Sequence, residues 1–157
     1  MSKATRATKA LEEAGIVFTV HSYEYDPDAD RIGEAAAAAL GEAPARVLKT
    51  LMTLVDGKPA CAIVPSDREV SMKKLAAALG GKAAQMMKPA DAERISGYKV
   101  GGISPFGQMR KVPTGIEEQA MAHDLVFING GGRGLQVRLS PRDAAMVLDA
   151  KIAALVA

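Results

Sequence analysis

Residues 46–65, RVLKTLMTLVDGKPACAIVP, constrain the fold more than any other stretch. Asp56-Gly57 separates two β-prone runs, Val47–Val55 and Ala60–Val64. That arrangement is the sequence form of a tight hairpin. The first run is nearly apolar, yet Lys49 stands inside it. Strand alternation puts Val47, Lys49, Leu51 and Thr53 on one side. If that side faced water, Val47 and Leu51 would be exposed with it. If it faced the core, a lysine would be buried, which is rare without a partner. Two readings of Lys49 therefore stand: an outward-facing surface residue, or a site residue with its ammonium aimed at an anion or a carbonyl.

The rest of the chain alternates between helical and extended patterns. Residues 3–14 read as a helix with Ala7, Ala10, Leu11 and Ala14 on one face and Gly15 as the stop. Residues 16–23 are β-branched and extended. A second helix covers Arg31 to Leu40, ahead of Gly41. A third follows a Ser71 cap and ends near Gly80. AAQMM is a short strand, and a fourth helix opens at Pro89. LVFING and LQVRLS form two more strands joined through Gly130–Gly134. Ser140-Pro141-Arg142-Asp143 opens the last helix in the manner of a capping box. No repeat, linker or low-complexity tail divides these elements. The expectation is one α/β domain over residues 1–157, built around a largely mixed sheet.

Composition narrows the function classes. At 157 residues with 48% hydrophobic and 24% charged, the chain can bury a core. Aromatics are only 4%, so Ala, Leu, Val, Ile and eight Met must fill it. A net charge of +2 is too mild for tight nonspecific nucleic-acid binding, although a local basic face is compatible with it. The single cysteine excludes a disulfide within the chain and fits a reducing compartment. The N-terminus lacks the apolar core of a signal peptide, and no segment approaches a membrane span, so a cytoplasmic protein is expected.

Side-chain chemistry is sparse. His21 and His123 lie far apart without Cys or carboxylate partners at ligand spacing, so no metal site and no cofactor are expected. His123 reads as lying at a helix end. No nucleophile elbow or Cys/His pair is visible. Cys61 lies in an apolar strand, where a buried inert thiol is the ordinary reading. NGGGRG, residues 129–134, lacks the Gly-Lys-Ser/Thr ending of a phosphate loop and reads as a hairpin turn from which Arg133 could meet a phosphate. HSYEYDP is either a plain strand exit or, through Tyr23, part of a site wall. The segment YKVGGISPFGQ, residues 98–108, carries three glycines and a proline but one formal charge. It is either a structural connection or a loop whose backbone N–H groups face a ligand as an anion or oxyanion site.

These segments together, namely HSYEYDP, VLKTL, GYKVGGISPFGQ, KVPT and INGGGRGL, resemble the YbaK/EbsC family, and within it the YbaK-type Cys-tRNA(Pro) deacylases. The resemblance runs in order from the first helix to the last. It implies one compact domain, a curved, barrel-like mixed sheet surrounded by helices, related to the editing domain of bacterial prolyl-tRNA synthetase. It implies removal of a wrongly attached amino acid from tRNA, cysteine on tRNA(Pro) in the YbaK type. Carried over by motif, the family lysine falls on Lys49, the tyrosine on Tyr23, and the GxxxP loop on Gly101–Pro105. Lys49, Gly101 and Gly102 are the implied catalytic positions. Tyr23, Ile32, Ile103, Ser104, Pro105, Asn129 and Gln136 are the implied substrate contacts. Ile32, Asn129 and Gln136 depart from the family's usual Phe, Ser and Asp, and all three bear on the amino-acid pocket.

An aminoacyl ester is already activated, so backbone donors near Gly101 and Gly102 could suffice without an enzyme nucleophile. With cysteine as substrate, its own thiol could attack its own carbonyl and give a thiolactone. Lys49 and Tyr23 would then hold the terminal nucleotide. A basic stripe of Lys3, Arg6 and Lys9, with Arg110, Lys111 and Arg133, could guide the acceptor stem, and prolyl-tRNA synthetase would be a transient partner. The alternatives are a deacylase for another small residue, Ala or Ser, and a nonhydrolytic tRNA- or nucleotide-binding module.

Overall fold

Two sheets, rather than one continuous curved sheet, carry the domain. In the computed structural model, residues 4–29 and 31–157 are described. The larger sheet has five strands in the order β4-β2-β3-β5-β8, where β2 is Leu48–Val55, β3 Lys58–Pro65, β4 Ala84–Met86, β5 Thr114–Glu117 and β8 Lys151–Ala153. Its β3–β5 and β5–β8 pairs are parallel and the rest antiparallel, so the sheet is mixed as expected. The smaller sheet is antiparallel, with β1 (Phe18–Ser22), β7 (Leu135–Leu139) and β6 (Val126–Gly132) in the order β1-β7-β6. A parallel bridge from Val47 to Phe127 joins the two.

The β2–β3 hairpin forms where the sequence puts it. Asp56 and Gly57 take φ values of 50° and 78°, the paired positive angles of a tight hairpin turn. Register runs from Leu48 opposite Pro65 to Val55 opposite Lys58. The Asp56 carboxyl also accepts from the Lys82 and Ala83 amides, fixing the approach to β4.

Among the described residues, five α-helices surround the sheets: α1 Arg6–Glu13, α2 Ile32–Leu40, α3 Met72–Ala78, α4 Pro89–Ser96 and α5 Pro141–Leu148. Thr5 and Thr8 exchange side-chain bonds as a capping box on α1. Ser71 and Ser140 accept from Lys74 N and Asp143 N at 3.2 and 3.3 Å. Among the described residues no helix is long and apolar enough to cross a membrane.

Strands β5 and β8 and the short 3-10 turns were not expected from the sequence. TGIE and KIA are too short to carry a periodic signal, and distant partners hold them. Glu117, 1% exposed, is central to that assembly. Its Oε1 accepts from Leu155 N at 2.8 Å and Val156 N at 3.0 Å, and its Oε2 accepts from Gln119 N at 2.9 Å. A buried carboxyl thus ties residues 155–156 to the end of β5.

Candidate active site

A cavity of about 470 Å³ opens between the two sheets. Its floor is β2, from Leu48 to Met52. Ile32, Gly33 and Ala36 of α2 form one wall. The opposite side is the 98–108 loop, through Val100, Gly101 and Ile103, with Asn129 of β6 and Gln136 of β7 beside it. Tyr23, just past β1, and Met86 and Met87 complete the rim. Among the described residues, the walls contain no His or Cys.

The Lys49 conflict resolves in the second sense. Val47 is 1% exposed and packs with Ala37 and Phe127, so its side of the strand is covered by α2 and β6. Leu51 is partly buried against the cluster that includes Leu75 and Leu155. Between these covered positions Lys49 is half-buried and lines the cavity. Its ammonium has no ion pair or hydrogen bond among the described residues. Helix α2 comes this close because Gly33 has no side chain: a Cβ there would sit 3.0 Å from the Ser66 Cβ and 3.7 Å from that of Lys49.

Gly101 and Gly102 differ in role. Gly101 lines the cavity at φ 89°, where an added Cβ would collide with the Tyr25 phenol. No protein partner is found for its N–H among the described residues. Gly102 does not line the cavity, and its N–H donates to Lys99 O at 2.8 Å. A Cβ on Gly102 would sit 2.7 Å from Arg133 N and 2.8 Å from Gly132 C. The expectation of a Gly102 donor is therefore corrected. Gly102 is a packing glycine that lets the β6–β7 hairpin press on the loop.

Ser104 and Pro105 are corrected in the same way. Both are buried off the cavity, and Ser104 serves the loop itself, accepting from Phe106 N on its hydroxyl and from Gln108 Nε2 on its carbonyl. Ile32, Ile103 and Tyr23 do line the cavity. Burial raises the Tyr23 pKa above its ordinary 10.0, opposed by the neighbouring Gln136 side chain, so the phenol stays neutral at physiological pH. Gln136 is 4% exposed and its Oε1 has no partner among the described residues. Thr50 Oγ1 is likewise buried and unpartnered, and Thr50 lines the same cavity. Sequence reasoning missed Thr50, although a hydroxyl beside Lys49 in an apolar strand was a usable signal.

Asn129 lines the cavity, but its amide is fully engaged. Its Oδ1 accepts from Gly131 N and Gly132 N at 2.7 and 3.2 Å, and its Nδ2 donates to Gly132 O and Gly101 O at 3.2 and 3.4 Å. An amide has two donors and two acceptor sites, so none is left over for a substrate. The expectation of a substrate contact through this amide is corrected accordingly.

The basic positions are spread. Arg6, Lys9, Arg110, Lys111 and Arg133 are exposed, and Lys3 lies outside the described residues. The Arg6 guanidinium is near Gly97 and Met109, beside Arg110 in the chain. Arg133 lies over the Tyr25 ring at 5.4 Å. His21 bonds Thr19 and meets the Phe127 ring edge-on, and His123 closes a 3-10 turn. Cys61 is buried in β3, and burial pushes its thiol up to about 12, which keeps it protonated and unreactive. Among the described residues no group of three His, Cys, Asp or Glu could hold a metal ion.

Comparison with known proteins gives the architecture a family. The aminoacyl-tRNA editing domain family matches residues 26–146. A protein of Enterococcus faecalis provisionally named Cys-tRNA(Pro)/Cys-tRNA(Cys) deacylase EbsC is 32% identical over 87% of this chain and 84% of its own. Proline--tRNA ligases of Nitratidesulfovibrio vulgaris and Geobacter metallireducens are each 31% identical over 72% and 62% of this chain, which spans only 20% and 17% of theirs. A solved structure provisionally described as a trans-editing enzyme for prolyl tRNA synthetase superposes with a TM-score of 0.81 at 21% identity, covering 99% of both chains. The structure of a hypothetical protein, APE2540, superposes at 0.83 with 19% identity, covering 98% of this chain and 100% of its own. These superpositions match the two-sheet fold. The chain belongs to the aminoacyl-tRNA editing domain family and is by class an aminoacyl-tRNA deacylase.

Proposed function

We propose that this protein removes cysteine from mischarged tRNA(Pro) in trans, using the substrate's own thiol as the nucleophile. One observation carries the reading: Lys49 and Gly101, whose N–H has no partner among the described residues, line a single cavity whose described lining includes no Cys or His, and the Ser66 hydroxyl there is held by Pro44 O. Such a cavity suits a reaction whose nucleophile arrives with the substrate.

In this mechanism the aminoacyl group enters between α2 and the 98–108 loop. The ester carbonyl accepts from Gly101 N–H. The cysteine sulfur attacks the carbonyl carbon, a C–S bond forms, and the ester C–O bond breaks. The ribose oxygen of tRNA leaves and takes up the proton that the thiol releases. The products are a four-membered thiolactone, later opened by water, and free tRNA. Holding the thiol against the carbonyl supplies on the order of 7 kcal/mol of the barrier reduction. Lys49 holds the terminal nucleotide and lends positive charge to the developing oxyanion. Tyr23, neutral at the rim, packs on the terminal adenosine.

The whole chain acts as one editing module in the cytoplasm. Arg6, Lys9, Arg110, Lys111 and Arg133 are proposed contacts for the acceptor stem. The mild net charge favours a transient complex with prolyl-tRNA synthetase as the source of tRNA selection. A second reading, clearance of serine or alanine, draws on the small neutral wall of Ile32, Gly33 and Ala36, which suits another small side chain as well as that of cysteine.

Lys49→Ala tests the cation. It is expected to lower the single-turnover rate of labelled amino-acid release from Cys-tRNA(Pro) by on the order of a hundredfold, with the melting temperature nearly unchanged. Equal release by both proteins would remove Lys49 from the mechanism. No release by the unaltered protein from Cys-, Ser- or Ala-tRNA(Pro) would favour a nonhydrolytic binding module.

A further inference from the structure

The β6–β7 hairpin reaches over the 98–108 loop and takes hold of two successive carbonyls. Arg133 Nε donates to Val100 O at 2.9 Å, and Asn129 Nδ2 donates to Gly101 O at 3.4 Å. The loop is held from its own side as well, since Glu93 Oε2 accepts from Val100 N at 2.8 Å. The hairpin lies this close because Gly102 presents no Cβ to Gly132 and Arg133. The Arg133 side chain is steadied in turn by the Tyr25 ring beneath it.

Peptide geometry gives this clasp a consequence. Val100 C=O and Gly101 N–H belong to one planar trans peptide, so they point in opposite directions. The bond that turns Val100 O toward Arg133 turns Gly101 N–H the other way, on a residue that lines the cavity and whose N–H has no partner among the described residues. Glycine at φ 89° does not fix the peptide plane by itself, because glycine has few steric limits of its own. An external hold is needed to keep the N–H in one orientation.

We infer that Arg133 is a positioning residue for the deacylation step. Its Nε sets the Val100–Gly101 peptide plane and so aims the Gly101 N–H at the ester carbonyl, while Asn129 fixes the following peptide. This rests on the proposed donor role of Gly101. Arg133 thereby has a task that a tRNA-guiding surface charge would not have. A lysine in its place keeps the charge that attracts phosphate. It lacks the planar guanidinium that places Nε on Val100 O while lying over Tyr25.

Arg133→Lys separates the two tasks. The expected result is a kcat lowered about tenfold or more, with KM for the aminoacyl-tRNA within about twofold and its salt dependence unaltered. Arg133→Met is expected to lower kcat similarly and also to raise KM. Independently of activity, the Gly101 amide resonance in the heteronuclear NMR spectrum is expected to shift or broaden in both variants while melting temperatures stay close to the parent's. That arm reads the clasp even if the unaltered protein releases no amino acid, an outcome that would sink the deacylase reading alone. A Gly101 resonance that stays in place in both variants would overturn the inference. So would a kcat unchanged by Arg133→Lys in an active protein.

Discussion

Gly101→Ala is expected to lower the deacylation rate by about a hundredfold or more, while leaving a folded protein. Two causes act together. The residue sits at φ 89°, a conformation that side-chain-bearing residues rarely adopt. A methyl group there also meets the Tyr25 phenol, so the loop or the tyrosine must move. Either movement displaces the N–H proposed to receive the ester oxygen, and loss of one such donor costs about 3 kcal/mol at the transition state. Damage to the fold should be small, because the affected loop turn is at the cavity edge rather than in the core. Single-turnover rates on Cys-tRNA(Pro), read beside circular dichroism and a melting curve, check this. A variant that turns over like the parent would remove Gly101 from the mechanism.

Glu117→Ala is the largest expected effect on stability. Three backbone N–H groups, of Gln119, Leu155 and Val156, lose their acceptor inside a site that is 1% exposed. Each stranded donor costs about 1–3 kcal/mol, so a loss of at least about 3 kcal/mol is expected. For a chain of this size that corresponds to a melting temperature lower by roughly 6–12 °C. Glu117→Gln keeps one acceptor oxygen and should lose distinctly less. Denaturant or thermal unfolding of the two variants decides it, and a Glu117→Ala protein as stable as the parent would show that water or rearrangement supplies the missing acceptors.

The parts of the fold legible in the sequence were those written in local chemistry. Asp56-Gly57 encodes its own turn, Ser71, Ser140 and Gly41 mark helix ends through bonds made within a few residues, and Pro89 suits a first helical position because it has no N–H to satisfy. Lys49 was legible as a contradiction, since no single face of β2 could suit Val47, Lys49 and Leu51 at once. The structure resolves it by covering the two apolar residues with different elements and leaving the lysine at the gap. Nonlocal features were not legible. The division into two sheets depends on which strands pair across the chain, and the segment after β8 is tied down by a glutamate far back in the sequence. The roles of the loop residues were hidden for the same reason. Gly101 and Gly102 look alike in sequence, and Asn129 reads as a pocket polar group. What distinguishes them is which peptide each presents to a hairpin that lies next to them only after folding.

The central claim is that the tRNA-borne residue supplies the nucleophile in a cavity that supplies only position and charge. Release rates from Cys-, Ser- and Ala-tRNA(Pro), measured side by side with the purified protein, test it most directly. Cysteine is expected to be released at least about a hundredfold faster than alanine, with a thiolactone trapped as the first product. Alanine released as fast as cysteine, with free amino acid as the first product from both, would contradict it, because alanine has no atom that could make the attack.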